Sequence, residues 1–587
     1  MMTRKQLALA IAATLVGGIL AGGSVRAAEL QDGVAAGDVT QRTGVLWARA
    51  GAAGRMRFEL SRNPDLSKPN VFNRIVTDPM KPAKVSLFGL RPGTTYYYRA
   101  TDADGNSSRG RFETAPPVCA DNGVRFGVSG DWRPELAPYP SVVNVPERQL
   151  DFFVGLGDSI YAENLSDPSV PAAATLSEYR AKHSQVLSGH FGPNAWRAAR
   201  GATALLATVD DHEVINDYAG GAAPASDPRF DASGAYINET QRYRDGIQAF
   251  LEYMPVRELR YGNTGDPRTA GKPKLYRVRH YGNAAMVALL DSRSFRDALL
   301  PPVGNLNDPQ QVGAFLAASF DPSRTLLGAA QLADLKRDLE IAQAAGVVWK
   351  FVMLPEPVQN LGVLAASDRY EGYAAERSEL LRFVDERGID NVVFVTADIH
   401  GTLVNNLSYQ HTAFAPQIPL QAWEISTGAV AFDQPFGQTV VGLAAGLGLV
   451  TPQQKAFYDS LPIAPDADAI PNDKDDFLTA TVDPQLGLLG YDTLGLAGSP
   501  IDARLEAGDY VTAHQYGWSE FEIDAATKEL LVTTWGIPPY SQTELAADPA
   551  TVTARTPVAT SRFRVQPVRT PGKLQAFKQL FCGLLVQ

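Results

Sequence analysis

The sequence contains only two cysteines, Cys119 and Cys582, among 587 residues. Two thiols form at most one disulfide and cannot build a thiolate zinc cluster. The sequence also lacks any dense run of lysine and arginine, and 53 basic against 64 acidic residues leave a formal net charge of −11. An acidic chain without a basic stripe binds nucleic acid poorly, which excludes a nucleic-acid scaffold.

The N-terminal apolar segment is too short for a membrane span. Leu7 to Leu20 is interrupted by glycine, whereas a helix needs about 20 apolar residues to cross a bilayer. Basic residues precede it at Arg4-Lys5, and Val25-Arg26-Ala27 offers a cleavage site, as is typical of a signal peptide. We therefore expect residues 1–27 to direct export to the periplasm or the extracellular space. Because the second arginine of a twin-arginine signal is missing, the export route stays open between Sec and Tat.

The remaining chain is long enough for more than one globular domain, with 45% apolar and 20% charged residues. From 28 to 117 it shows short alternating strands separated by turns, which predicts a small antiparallel β-sandwich. Ala115-Pro116-Pro117 then breaks the pattern, because proline cannot donate to a strand ladder. We expect a domain boundary there.

From 118 to 568 the pattern changes to strands followed by helices, and polar residues recur where predicted strands end. In open α/β sheets the ligand site lies beyond the carboxyl ends of the strands. The stretch at about 432–510 has weak periodicity and is interpreted as an insertion without assigned structure, and residues 569–587 are interpreted as a tail. The strand-end residues are Asp131, Asp158, Asp210-Asp211-His212, Asp291-Ser292-Arg293, and Asp398 with His400.

These strand-end residues have the chemistry of a metal site. Hard metal ions need carboxylate, imidazole or amide ligands from separate loops. Asp158 has Tyr161 three residues later, Asn216 adds an amide, and Asp398-x-His400 can point two ligands to one side. Each residue alone has a structural explanation, as a turn, a helix cap or a buried histidine. Their recurrence favours a site with two ions bridged by one aspartate.

The chain resembles the PhoD-type alkaline phosphatase/phosphodiesterases of the calcineurin-like metallophosphatase superfamily. The resemblance implies a four-layer α/β sandwich, with two central sheets flanked by helices, after the small β-sandwich. The blocks that carry it are Ala36-Gly37-Asp38, Val45-Leu46-Trp47-Ala48-Arg49, Pro92-Gly93-Thr94-Thr95-Tyr96-Tyr97-Tyr98, Leu156-Gly157-Asp158-Ser159-Ile160-Tyr161, Asp210-Asp211-His212-Glu213-Val214 with Asn216, and Val395-Thr396-Ala397-Asp398-Ile399-His400-Gly401.

The resemblance also implies a metal pair. In this family the residue matching Asp158 bridges two metals, those matching Tyr161 and His400 bind iron, and those matching Asn216 and Asp398 bind calcium. The sequence departs from the family pattern at Asp131, which stands where a cysteine iron ligand is common and which we expect to serve as a ligand instead. Other divalent metals therefore stay possible. Smaller departures are Ala397 in place of glycine and Asp217 in place of a second asparagine.

We expect a metal-dependent hydrolase of small phosphomonoesters or phosphodiesters, in which the ions activate water and neutralise charge on phosphate. His212 is the candidate general acid, with a structural hydrogen bond as the alternative role. Arg133 and Arg293 are candidates to bind phosphate in a bidentate manner. A phospholipase-type phosphodiesterase using the same metals is an alternative function, and a non-catalytic secreted binding protein is an alternative of another class.

Overall fold

The computed structural model describes residues 28–118, 120–165, 170–306, 308–363 and 366–568. The proposed signal peptide 1–27, the tail 569–587 and both cysteines lie outside these residues, so the expectations about them stay predictions. Among the described residues, no helix combines the length and the apolar character needed to cross a membrane.

Strands and helices alternate along most of the chain. The strands are β1 (Val34–Gly37), β2 (Gly44–Ala48), β3 (Gly54–Ser61), β4 (Asn70–Val76), β5 (Ala83–Leu87), β6 (Thr95–Thr101), β7 (Ser107–Glu113), β8 (Val124–Trp132), β9 (Phe152–Leu156), β10 (Ala204–Thr208), β11 (Arg277–Tyr281), β12 (Ala285–Leu289), β13 (Trp349–Met353), β14 (Val392–Thr396), β15 (Thr402–Tyr409), β16 (Ile418–Ser426), β17 (Ala429–Ala431), β18 (Ala503–Gly508), β19 (Val511–Thr512), β20 (Tyr516–Ile523), β21 (Leu530–Ile537) and β22 (Val558–Val565). The helices are α1 (Leu176–Val186), α2 (Ala195–Ala202), α3 (Gln241–Tyr253), α4 (Pro309–Ser319), α5 (Ala329–Ala344), α6 (Ala374–Glu386), α7 (Phe436–Gly446), α8 (Pro452–Ser460), α9 (Lys474–Leu488), α10 (Gln542–Ala547) and α11 (Pro549–Thr553).

Two large mixed sheets form the centre of the molecule. The first has 11 strands in the order β18-β22-β21-β20-β8-β9-β10-β1-β2-β5, with β17 paired to β8. The second has seven strands in the order β11-β12-β13-β14-β16-β15-β19. In each sheet the central strands are parallel: β8, β9, β10 and β1 in the first, and β12, β13, β14 and β16 in the second. Their carboxyl ends can therefore carry loops to a common edge.

The two sheets pack face to face through an aromatic core. The ring of Phe126 stacks on Phe152 at 4.7 Å and on Phe521 at 4.8 Å, all within the first sheet. Phe351 of the second sheet meets Phe126 edge-on at 4.9 Å. Such offset and edge-to-face pairs add to the stabilisation from apolar burial.

Helices cover the outer face of each sheet, and alternate residues of one strand face different layers. In β14, Val393 and Val395 lie in the core between the sheets, whereas Val392 and Phe394 pack on the outer side with Leu335 of α5 and residues of α6. Helices α1, α2 and α3 cover the first sheet, and Tyr179, Trp196 and Tyr253 are their buried contacts. The predicted four-layer α/β fold is confirmed.

The N-terminal segment is antiparallel and rich in strands, as predicted, but it is not self-contained. Strand β1 pairs in parallel with β10, and β2 and β5 continue the first large sheet. Only β4-β3-β6-β7 form a separate sheet, which packs Phe58 and Tyr98 into the shared core. Strand β1 is accordingly buried along its length like an interior strand of the first large sheet. The domain boundary near 117 stays a prediction.

The insertion at about 432–510 is more regular than expected. It contains the helices α7, α8 and α9 and the strand β18. Its apolar residues, among them Val441, Tyr458 and Phe477, pack with Leu403 and Val511 of the second sheet. Tertiary packing rather than periodicity explains these helices, because isolated helices of this length are marginal in water.

Asp38, which follows β1, joins the two sheets through arginines. Its buried carboxylate accepts hydrogen bonds from the backbone N–H and Nε of Arg257 at 3.0 and 3.1 Å. Arg277 lies 3.4 Å away, and Arg279 pairs with the same carboxylate. Burial opposes ionisation, but the three guanidinium groups outweigh it and hold the pKa of Asp38 well below its usual range.

We predict that Asp38→Asn lowers the free energy of unfolding by about 3–5 kcal/mol, because it leaves arginines without their buried counter-charge. Urea unfolding at pH 7 measures this, with exposed Asp104→Asn as the control. Since the folded-state pKa is lowered, the wild-type advantage should be complete above the ordinary value of 3.8 and shrink as the pH falls below it. Equal stability of Asp38→Asn and Asp104→Asn would contradict this role.

Candidate metal centre

The predicted ligands meet where the two large sheets join. Asp131 is the second-to-last residue of β8, and Asp158 follows β9. Asp398 and His400 follow β14 of the second sheet. Strand β17, which continues from β16 of the second sheet, pairs with the end of β8. The chain thus brings carboxyl ends from both sheets to one edge, as the strand-end argument predicts.

The backbone at these ligands adopts a left-handed conformation. Asp131, Asp158, Asp398 and His400 have φ angles of 64°, 48°, 63° and 62°. This region is uncommon for residues other than glycine and costs free energy, so it persists only where the surroundings impose it. Its repetition at four predicted ligands indicates that each loop turns sharply to aim its side chain at the common edge.

Two features fix the loop of Asp158 against the loop after β10. The buried carboxylate of Glu213 accepts hydrogen bonds from the backbone N–H groups of Asp158, Ser159 and Asp210 at 3.2, 2.6 and 2.8 Å. Gly157 has a φ of 80°, and a Cβ there would lie 2.4 Å from the Cβ of Asp210. Only glycine therefore permits this close approach.

Asp131, Asp158 and His400 form the first candidate ligand group. Each offers a ligand atom within 4.8 Å of the others, and Nε2 of His400 lies 3.5 Å from Oδ1 of Asp131. The imidazole of His400 stacks on Phe432 with centroids 3.4 Å apart. Burial, together with the charges of His212 and Arg133, lowers the pKa of His400 to about 3. The ring is therefore neutral near pH 7, as metal ligation requires.

Tyr161 belongs beside this first group. Its hydroxyl is buried without a hydrogen-bond partner. Burial and then the charges of Asp158 and Asp131 raise the pKa of this phenol well above its ordinary value. Ionisation of Tyr161 therefore requires a compensating cation nearby.

Asp158, Asp211 and His212 form a second group, again with ligand atoms within 4.8 Å of one another. Nε2 of His212 lies 3.8 Å from Asp158 and 3.9 Å from Asp211, and Nδ1 pairs with Glu163. The charge of Asp211 and the Glu163 contact outweigh burial and raise the pKa of His212 to about 9. Asp158 is common to both groups, which is the arrangement expected of a bridging carboxylate.

The donor atoms of the two groups fit metal ions. Both carboxylate oxygens of Asp131, Oδ1 of Asp158 and Oδ1 of Asp211 are buried without a hydrogen-bond partner. Burial and neighbouring carboxylates raise the pKa of Asp131 and of Asp158 well above the usual range. A buried polar group without a partner costs free energy. Bound cations would remove this penalty, and hard oxygen donors suit them.

Asp398 contacts Arg293, and Asn216 lies in the loop that also carries Asp211. Asp398 is partly buried, and Oδ1 is 3.8 Å from a terminal nitrogen of Arg293. Asn216 is half-buried in the loop after β10, next to Asp217, whose backbone N–H donates to Asp211 at 2.7 Å. A third carboxylate group, formed by Asp211, Asp217 and Asp368, continues the cluster from Asp211.

Arg293, a predicted phosphate ligand, is not exposed as such a ligand needs to be. Its side chain is 0% exposed, and it contacts Asp368 at 2.6 Å, Glu356 at 2.7 Å and Asp211 at 3.5 Å. Such a guanidinium neutralises carboxylates from within the protein, so the expectation that Arg293 binds substrate directly is corrected to a positioning role. The strand-end position was right, but sequence does not show how many acids surround it.

Arg133 lies at the rim of the centre. Its side chain is 23% exposed and donates from Nε to Glu135 at 2.7 Å. The guanidinium carbon lies 5.3 Å from the ring centroid of Tyr161 and 5.1 Å from that of Phe432. This position beside Tyr161 leaves Arg133 available to a substrate, in contrast to Arg293.

Sequence reasoning missed several residues of the cluster. Glu356 follows β13 and so carries the same strand-end signal as the predicted ligands. Asp211 was noticed as part of the polar run but not selected as a ligand. Glu213 belongs to the same polar run after β10 but was not given a role, whereas Glu163 and Asp368 lie in loops that no strand-end signal marks.

Comparisons with known proteins identify similar sequences and a similar fold. Residues 129–464 match the model of the PhoD-like phosphatase family, and residues 20–116 match the model of the PhoD-like phosphatase N-terminal domain. Alkaline phosphatase D of Bacillus subtilis (strain 168) is 28% identical over 409 residues, which span 64% of this chain and 65% of that protein. A solved structure of PhoD has a TM-score of 0.65 at 20% identity and covers 95% of this chain and 97% of that one, which supports the fold.

We predict that Asp131→Asn lowers the metal content of the purified protein while stabilising the metal-free form. The first effect follows from loss of a ligand, and the second from removal of a buried carboxylate without a partner, worth about 1–3 kcal/mol. Elemental analysis and thermal unfolding after chelation measure the two effects. Asp151→Asn is the control, since Asp151 accepts a hydrogen bond from the backbone of Arg125. Unchanged metal content in Asp131→Asn would show that Asp131 is no ligand.

We predict that Arg293→Gln and Arg133→Gln have different effects. Loss of Arg293 leaves buried carboxylates unneutralised and should lower the free energy of unfolding by about 3–5 kcal/mol. Loss of the partly exposed Arg133 should change stability by less than about 1 kcal/mol but raise KM for a phosphoester. Chemical unfolding and steady-state kinetics separate the two. A stable Arg293→Gln protein with a raised KM would restore its role as a phosphate ligand.

Proposed function

The chain belongs to the PhoD-like phosphatase family, and from this premise we propose that it hydrolyses phosphoric esters at a binuclear metal centre. The observation that carries the proposal is the pair of ligand groups that share Asp158. Sharing between two bound ions would explain why one carboxylate is common to two groups of unpartnered donors. A helix cap or a turn needs neither shared burial nor absent partners.

We assign the metals as iron and calcium. Asp131, Tyr161 and His400 supply carboxylate, phenol and imidazole donors, which suit iron. Asp158 would be shared, and Asp211 of the second group, together with Asp398 and Asn216, would supply the oxygen donors that suit calcium. When bound, the ions would activate water and neutralise charge on the phosphate.

The remaining residues of the centre have roles that follow from their positions. His212 faces the shared carboxylate with Nε2 and is held by Glu163 through Nδ1, so it can donate a proton to the leaving oxygen. Arg133, at the rim, binds phosphate oxygens. Arg293 and Glu213 hold the ligand loops in place from within the protein.

Small phosphomonoesters and phosphodiesters are the proposed substrates, and export through residues 1–27 is the proposed route to them. Phosphoesters outside the cell would be accessible to a protein in the periplasm or the extracellular space. The acidic net charge of −11 fits a small substrate better than a polynucleotide.

A phospholipid is the second candidate substrate, because the insertion exposes apolar side chains and its first helix begins beside His400. The backbone N–H of Phe436, the first residue of α7, donates to the carbonyl of His400 at 2.9 Å. Exposed apolar patches commonly mark binding surfaces. The exposed large apolar residues of the insertion are Leu443, Leu447, Leu449, Phe457, Ile470 and Leu488.

We predict that Asp158→Ala abolishes hydrolysis and releases metal from both positions. Removal of a shared ligand should exceed the roughly 100-fold loss that follows mutation of a residue supporting a ligand. Hydrolysis of bis-p-nitrophenyl phosphate, p-nitrophenyl phosphate and a phospholipid is measured side by side, together with metal content. Asp398→Ala should deplete one metal more than the other.

The exposed variant Asp104→Asn serves as the control and should retain wild-type rates and metal. Preference of the wild type for the phospholipid would select the second candidate. Absence of hydrolysis of all three esters by the metal-loaded protein would favour a binding protein. Full activity and metal content in Asp158→Ala would contradict the shared-ligand assignment.

A further inference from the structure

A separate cluster of carboxylates lies in the insertion and shares no residue with the metal centre. Asp466 and Asp468, in the loop before α9, and Asp476, in its first turn, offer oxygen atoms within 4.8 Å of one another. Asp473, the N-cap of α9, and Asp509, between β18 and β19, also act on the carboxyl of Asp476. Acids from the loop before α9, from the start of α9 and from the turn before β19 thus lie near the carboxyl of Asp476.

The cluster contains buried oxygen atoms without partners. Asp476 is only 6% exposed, and its Oδ2 has no hydrogen-bond partner. Asp473 is also buried, and its Oδ2 likewise has none. Within the described ranges, no lysine, arginine or histidine forms an ion pair with any acid of the cluster. The nearby Lys474 donates instead to the backbone carbonyl of Tyr458 at 2.6 Å.

Helix capping explains only part of this arrangement. Oδ1 of Asp473 accepts from the backbone N–H groups of Asp475 and Asp476 at 2.8 and 3.0 Å, which caps α9. The helix dipole also favours acids in the first turn. Neither effect requires Asp466, Asp468 and Asp509 to approach from other segments, and neither gives Oδ2 of Asp476 a partner. The remaining repulsion is unfavourable unless a cation is present.

We propose that Asp466, Asp468 and Asp476 bind one calcium ion, with Asp473 and Asp509 adding negative charge around it. The donors are all carboxylate oxygens, which excludes the soft metals that thiolates select. They come from a loop and a helix start, and Ca²⁺ accepts six to eight oxygens in flexible geometry, whereas Mg²⁺ demands a near-ideal octahedron. The site does not depend on the function proposed for the metal centre.

The calcium ion stabilises the packing of the insertion. Its ligands connect the loop before α9 to the first turn of the helix. Asp475, the residue before Asp476, accepts hydrogen bonds from the backbone N–H of Ala513 and from Nδ1 of His514, both at 2.7 Å. Nε2 of His514 contacts the hydroxyl of Tyr458 at 2.8 Å. Calcium therefore stabilises the position of α9, and α9 in turn contacts the segment after β19 and, through His514, Tyr458 of α8.

The test compares the whole protein with Asp468→Asn, Asp476→Asn and the control Asp459→Asn. Asp468 and Asp459 are both exposed, so neither substitution disturbs the core. Each protein is dialysed against CaCl₂ alone, and its calcium content and Tm are measured. Wild type and Asp459→Asn should bind one calcium more than the other two variants. Calcium should raise their Tm by about 2 °C or more, and by less in Asp468→Asn and Asp476→Asn.

The difference between proteins is diagnostic, because the metal centre contributes equally to all of them. Asp398→Ala, which alters only the metal centre, should keep the part of the calcium-dependent rise in Tm that Asp468→Asn and Asp476→Asn lose. Equal calcium content and an equal Tm shift in wild type, Asp468→Asn and Asp476→Asn would overturn the site. Absence of hydrolysis by the metal-loaded wild type, with this difference in Tm shift present, would count against the proposed function alone.

Discussion

Repulsion among buried carboxylates is the constraint on which this structure depends. Asp131, Asp158, Asp210 and Asp211 lie together at the junction of two sheets, and burial with mutual charge raises the pKa of Asp131 and Asp158 well above the usual range. Arg293 offsets part of the charge from behind, and Glu213 fixes two ligand loops by accepting backbone hydrogen bonds. The unpartnered oxygens on the open side leave a position that cations would fill. The fold supplies the rigidity that holds like charges together.

Much of the architecture could be predicted from local patterns. The strands that end at Asp131, Asp158 and Asp398 were recognisable as short apolar runs, and alternation of their residues between two cores explains why. The pairing of β1 with β10 could not be predicted, because it joins residues far apart in sequence and leaves no local signal. The helices of the insertion were missed for a similar reason, since their apolar faces are defined by contacts with Leu403 and Val511.

The candidate site was predictable to the extent that each ligand follows a strand. That rule located Asp131, Asp158 and His400, which the structure brings into one group. It could not show exposure, so Arg293 was expected to contact substrate although it is buried among acids. It also gave no sign of loop residues such as Glu163 and Asp368, whose positions follow from tertiary packing. Local sequence therefore indicates which residues bear the chemistry, whereas the fold decides which face the substrate.

Anomalous diffraction from crystals of the protein purified with its metals tests the central claim most directly. Data on both sides of the iron absorption edge locate iron, and the anomalous signal far from that edge locates calcium. At the metal centre the account predicts two peaks that share the Asp158 carboxylate, with Asp131, Tyr161 and His400 around the iron. A single peak at the centre, or two peaks there of which neither contacts Asp158, would contradict it.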